Sequence, residues 1–272
     1  FADKDFSNSI NMSGVNSINW ARIIAQAVYY FYTYFLIKDK KSINFSVPTG
    51  NFGDVYAGYL AKKMGLPINK LIVATNKNDI LHRAISTGKY EVETVFETNS
   101  PSMDIQVASN FERLIYDLND FDDIETKDVM IKIKDEGKYI FAKNRLEKIR
   151  KDFLSESMNE EEVIETIRNI YNKYKVILDP HTAIGLGALN KINIEGDNIV
   201  LATAHPCKFP DAIDKSISIK PSLPSELQYI MDKKEYYDIV PNSVSKTKQY
   251  IKDKLKWSWE KMKIFLVLIF LS

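Results

Sequence analysis

Apolar residues recur at helical spacing from Asn19 to Lys38: Ile23, Ile24, Ala27, Val28, Phe31 and Phe35 share one side, while Arg22, Gln26 and Lys38 lie off it. The pattern predicts a long, half-buried helix. Ser42 to Val47 then forms a short apolar run that reads as a buried strand, with Pro48 to Gly53 as a loop. Val55 to Lys63 reads as a helix closed by Gly65 and Pro67, and Leu71 to Ala74 as a second buried strand. Strand, glycine-bearing loop, helix and strand in succession make a βαβ unit, so the expected class is α/β.

From Asn76 to Asp128 the pattern mixes short helices with turns. Ile131 to Lys175 is charged and helix-rich, with Glu160 to Tyr174 its clearest amphipathic stretch. A second unit follows at Val176 to Thr182, continuing into a small-residue helix, Ala183 to Leu189, and a strand, Ile199 to Ala202, that runs into Thr203. Beyond Lys220 a proline-bearing stretch leads to a last helix, Val244 to Lys256. Ile264 to Leu271 is an unbroken apolar run too short to span a bilayer, which takes about 20 residues. Trp257, Trp259 and neighbouring lysines leave two readings of the tail open, a membrane-surface-bound segment and an aberrant terminus from a shifted reading frame.

Composition narrows the function classes. With 45% hydrophobic residues in 272, the chain has the make-up of a globular protein with a packed core. Its 37 basic and 36 acidic side chains nearly cancel, so no global field favours nucleic acid or anionic lipid. Cys207 is the single cysteine, which excludes an internal disulfide and a thiolate zinc site and suits a reducing cytoplasm. His82, His181 and His205 match no zinc spacing, so no metal is expected.

Candidate chemistry gathers at two helix starts. Thr49-Gly50-Asn51-Phe52-Gly53 lies between a strand and a helix, where free N–H groups and the helix dipole favour an anion. The glycines let backbone approach a phosphate, and Asn51 adds a side-chain donor. A plain βα turn and a flavin-phosphate loop remain alternative readings of these five residues. Asn16, Ser17 and Asn19 open the long helix, with Arg22 one turn inside it. Asn19 or Ser17 could be ordinary N-caps. Arg22 is more pointed, because only six of the 37 basic residues are arginine and its planar fork suits phosphate. Thr203, at a strand end, is positioned where α/β sheets bind ligands.

Pro48 to Asp54, followed by Ala57 to Pro67, resembles the cofactor-phosphate loop of the threonine synthases, pyridoxal-phosphate enzymes of the tryptophan-synthase β-like fold (fold type II). Four further segments agree in order: Gly14 to Arg22, Ser100 to Ile105 with Ser109 to Leu114, Leu178 to Ala183 and Ala202 to Phe209. The resemblance implies a three-layer α/β/α large domain. It implies that Gly50, Asn51, Phe52 and Gly53 hold the phosphate of pyridoxal phosphate and that Thr203 bonds its ring nitrogen. It assigns Asn16, Ser17, Arg22 and Asn51 to the phosphate of O-phosphohomoserine. The implied reaction is that of a carbon–oxygen lyase: elimination of phosphate, then addition of water to give threonine.

The implied organisation is a small-domain remnant and linking helix over 1–40, a cofactor-binding domain over 41–220 with a helical insertion at about 127–175, a C-terminal helical segment over 221–256 and an atypical tail over 257–272. The family's Schiff-base lysine matches no residue of this sequence, because Lys4 is too close to Gly14 to take that place. The expectation is therefore an N-terminally truncated fold that is inactive alone, with a separately encoded N-terminal half as a candidate partner. Three readings stand as alternatives: a serine or threonine dehydratase, a flavin carrier, and a catalytically dead module that binds phosphate compounds.

Overall fold

The computed structural model describes residues 3–12, 16–38 and 42–255. The chain divides into two units, residues 1–15 with 224–272, and residues 16–223. In the first, α1 (Lys4–Ser9) starts at Asp3, whose side chain accepts a hydrogen bond from the Phe6 N–H at 2.9 Å. Asp3 also pairs with Lys248, which lies on a helix over 244–255. Lys256 and the apolar tail at 257–272 fall outside the described residues.

The second unit opens with α2 (Trp20–Leu36), capped by Asn19 through a 3.0 Å bond from the Ala21 N–H. β1 (Ile43–Pro48), α3 (Gly53–Lys63) and β2 (Ile68–Thr75) form the expected βαβ unit, with β1 and β2 parallel. α4 (Ile80–Thr87), β3 (Lys89–Glu91), α5 (Phe111–Leu118), α6 (Asp123–Glu136), β4 (Lys138–Ile140) and α7 (Lys143–Asp152) follow. β5 (Phe153–Ser157), α8 (Glu160–Tyr174), α9 (Pro180–Lys191), β6 (Asp197–Val200) and α10 (Pro210–Ile217) complete it. The central sheet runs β5-β2-β1-β6, all parallel; β3 and β4 form a separate antiparallel pair.

β1 is buried on both faces, as a central parallel strand must be. Ile43, Phe45 and Val47 pack into the larger core with α2, α3 and α5, while Ser46 turns the other way and donates to the Gly185 carbonyl of α9 at 2.6 Å. A second core, built from Met158, Val163, Ile167, Ala183, Ile184 and Ile213, lies under α8, α9 and α10. The sheet is thus sandwiched in three layers, as the resemblance implied.

Two expectations need correction. The stretch 127–175, expected as a helical insertion, contains β4 and β5, and β5 is a full member of the central sheet beside β2. Its sequence, Phe-Leu-Ser-Glu-Ser, hides only Phe153 completely, because an edge strand has less of its surface covered. On α2 the buried stripe is Ile23, Ala27 and Tyr30; Ile24, Val28 and Phe35 are exposed. Gly58 sets this register: a Cβ there would stand 2.5 Å from the Tyr30 ring, so the missing side chain lets that ring reach Phe45 at 4.8 Å between centroids.

Candidate functional site

The end of β1, the start of α3 and the strand end after β6 surround a cavity of about 210 Å³. Ser17, Arg22, Gly50, Asn51, Phe52, Gly53 and Thr203 all line it, so the two helix starts singled out from sequence meet at one place. Asn16 does not line it. Its side-chain oxygen accepts from the Ile18 N–H at 3.1 Å, closing a local turn that leads into α2.

The loop is held from both ends. The Thr49 N–H donates to the Ala74 carbonyl at 2.8 Å, and the Thr49 hydroxyl to the Val47 carbonyl at 2.6 Å. Phe52 adopts a left-handed backbone, φ 64°, which costs a non-glycine residue about 1 kcal/mol or more. The Phe52 ring is wholly buried against Phe111, 5.1 Å away and edge-on, and that packing holds the strained turn in place. Because Phe52 as N-cap offers no side-chain bond, the leading N–H groups of α3 stay uncapped at the cavity wall.

Asn110, fully buried and not singled out from sequence, joins the two helix starts. Its Nδ2 donates to the Ser17 carbonyl at 2.8 Å and to the Asn51 carbonyl at 3.1 Å, and its backbone N–H reaches the same Asn51 carbonyl at 3.0 Å. Arg113 backs it, donating to Asn110 Oδ1 at 3.1 Å and to the Ile18 carbonyl at 2.8 Å. Asn110 falls within the family-like segment Ser109 to Leu114, but its role is not legible there, since its partners lie 93 and 59 residues away.

The charges in the wall favour an anion. Arg22 and Lys208 both line the cavity, and neither forms an ion pair with a described residue. Asp54 opposes them. Burial pushes its carboxyl up to about 6, although the Tyr30 hydroxyl, which donates to it at 3.1 Å, offsets part of that rise. The folded carboxyl holds its proton more tightly than the unfolded one, so its stabilising contribution is complete below pH 3.8 and is lost as the pH rises through about 6. Asp54→Asn keeps the acceptor for Tyr30 and removes the buried charge. We expect it to raise stability at pH 7 by about 1–2 kcal/mol and to flatten the pH dependence between pH 4 and 6 in denaturant titrations; an unchanged profile would refute this role.

Behind the cavity residue His181, Asp179 caps α9, accepting from the His181 N–H at 2.9 Å and from the Thr182 hydroxyl. Burial acts to raise this carboxyl, but the bonds from His181 and Thr182 outweigh it and hold the group below its usual value. Thr182 Oγ1 in turn accepts from the Thr203 N–H at 3.3 Å, which fixes the strand end that carries the Thr203 hydroxyl to the cavity.

The other histidines have local partners: His82 Nδ1 lies 3.1 Å from Ser155 Oγ, and His205 Nδ1 accepts from the Cys207 N–H at 3.2 Å. Among the described residues no cluster of His, Cys, Asp or Glu is placed to hold a metal, and no helix is long and apolar enough to cross a membrane.

The family described as "Threonine synthase, C-terminal" matches residues 182–251. Threonine synthase from Pseudomonas aeruginosa is 43% identical over 255 residues, covering 92% of this chain and 54% of that protein. The Saccharomyces cerevisiae threonine synthase is 47% identical over 241 residues, covering 80% of this chain and 47% of that protein. Among solved structures, PLP-bound threonine synthase from Brucella melitensis superposes with a TM-score of 0.90 at 42% identity, over 93% of this chain and 55% of that one. The yeast enzyme superposes with a TM-score of 0.86 at 42% identity, over 94% and 56%. The fold is the α/β architecture of fold type II pyridoxal-phosphate enzymes. The chain spans about half the length of the curated relatives it matches, and over that span it belongs to the threonine synthase family.

Proposed function

We propose that this chain forms the phosphate-binding half of an active site that converts O-phosphohomoserine and water to threonine and phosphate with pyridoxal phosphate as cofactor. The observation that carries the reading is the convergence of Arg22 and Ser17 with the Gly50–Gly53 turn and Thr203 on one cavity. Two phosphate-bearing ligands need two anion-binding helix starts side by side, and the starts of α2 and α3 meet that need.

The residues present suit the cofactor. A Cβ on Gly50 would stand 2.7 Å from the Ser102 carbonyl oxygen, so the cradle opens only around glycine, and the α3 amides beside it lack a side-chain cap. Gly50, Asn51, Phe52 and Gly53 would take the cofactor phosphate through backbone N–H groups, with Thr203 at the ring nitrogen. When bound, pyridoxal phosphate supplies an electron sink for chemistry at the amino-acid substrate. The chain's own residues orient and fix charge. Arg22 grips the substrate phosphate through two parallel N–H bonds, Ser17 and Asn51 flank it, and Asn110 sets their spacing. Asp179 and Thr182 keep Thr203 in place. A dehydratase substrate carries no phosphate and would leave the cation at Arg22 without a purpose.

The test is Arg22→Ala, read by titration with pyridoxal phosphate and then with O-phosphohomoserine on the cofactor-loaded chain. We expect affinity for the phosphorylated substrate to fall about tenfold to a hundredfold and cofactor affinity to stay within about twofold. Arg22→Lys should recover little, because an ammonium cannot bond two oxygens in parallel. Unchanged substrate affinity in Arg22→Ala would remove the substrate-phosphate assignment.

A further inference from the structure

The phosphate-binding reading leaves His181 unused. Among the described residues its Nε2 is the buried side-chain polar atom with no hydrogen-bond partner. Native proteins leave few such atoms, and an absent ligand is one of the standard reasons. The ring is held firmly: Nδ1 lies 3.2 Å from Asp179 Oδ1, the Phe209 ring packs 4.8 Å away, and the residue is 4% exposed. An ionised carboxylate accepts only, so the Asp179 contact places a proton on Nδ1 and fixes which nitrogen remains open. That ring lines the same cavity as Gly50, Thr203 and Lys208.

We infer that His181 is a ligand-contacting residue of this cavity, its Nε2 hydrogen-bonding the phosphate-bearing molecule seated there, with Asp179 as the positioning residue that orients the ring. The inference rests on the phosphate-binding reading and adds a contact to it. The α9 start differs from a plain anion-binding helix end: Asp179 fills the backbone donors with its own carboxylate, so the imidazole, and not the amides, is what this helix offers the ligand. Nε2 is buried, where a single hydrogen bond is worth more than it is in water.

The readout is the imidazole 15N spectrum, which resolves three histidines, with the backbone amides of Gly50 and Gly53 followed in the same samples. On saturation with inorganic phosphate or with pyridoxal phosphate, the His181 Nε2 resonance should move while Nδ1 stays protonated and His82 is unchanged. His181→Asn presents an amide to Asp179 and lacks the outer nitrogen; it should keep the native fold and lose about tenfold in pyridoxal phosphate affinity. His181→Gln, whose amide reaches the Nε2 position, should recover part of that loss. If the Gly50 and Gly53 amides shift and Nε2 is still with both ligands, His181 does not contact the ligand and the inference is overturned, leaving the phosphate cradle intact. If the amides do not shift either, the cradle reading falls and this inference falls with it.

Discussion

Gly50→Ala is expected to lower affinity for pyridoxal phosphate by about a hundredfold or more and to destabilise the chain by about 1–3 kcal/mol. The added Cβ would lie 2.7 Å from the Ser102 carbonyl oxygen and 3.2 Å from Met103 Cα, both backbone atoms in a tight turn. That turn cannot retreat easily, because Asn76 Nδ2 donates to Ser100 Oγ at 2.9 Å and to Asp104 Oδ1 at 2.7 Å, and Asp104 also accepts the Thr98 N–H at 2.9 Å. The phosphate loop must therefore move, and backbone donors displaced by several tenths of an ångström lose most of their aim at an anion. Gly53→Ala is the matched control. Its Cβ would stand 3.3 Å from Asn110 Nδ2 and 3.4 Å from Ile23 Cδ1, contacts that a few tenths of an ångström relieve, so its loss should be smaller. Cofactor titration and thermal unfolding of both variants check this; Gly50→Ala binding as tightly as wild type would show that the loop does not cradle the phosphate.

The second large effect is expected at Asn110. Asn110→Ala removes the donor shared by the Ser17 and Asn51 carbonyls and the acceptor of Arg113 Nε, leaving polar groups in and beside the core without their partner. A loss of about 2–4 kcal/mol follows from orphaning buried groups of this kind. Affinity for cofactor and for O-phosphohomoserine should fall together, since one side chain sets the distance between the two helix starts. Asn110→Asp is no rescue, because it turns a donor toward two carbonyl oxygens into a negative charge. Urea unfolding with paired ligand titrations is the measurement. A loss below about 1 kcal/mol with both affinities intact would mean that the two segments hold their spacing through backbone packing.

Local chemistry was enough to read much of this protein. The βαβ unit follows from two short apolar runs around a glycine loop, and α8 from its amphipathic period and an Asn159/Glu162 capping box. The glycine-bearing turn at residues 49–53 before one helix and the lone arginine one turn inside another were legible for the same reason: each depends on neighbours a few residues away. Order along the chain also sufficed to align five segments with one enzyme family.

What needed the tertiary structure is whatever depends on residues far apart in sequence. β5 is a strand because β2 offers it a hydrogen-bonding edge, which no property of Phe153 to Ser157 by itself announces. The face of α2 that is buried was decided by a gap at Gly58, not by hydrophobicity, so Tyr30 went in while Val28 and Phe35 stayed out. Asn16, alike on paper to Ser17, turned to cap its own loop, whereas Asn110, Lys208 and His181 arrived at the site from distant elements. The sequence by itself determined where the glycine-bearing turn and the helix starts lie, because backbone donors at a helix start are local. Only the folded chain decided that two such segments share one cavity and that a buried imidazole nitrogen waits in its wall, because burial and distance are properties of the packing.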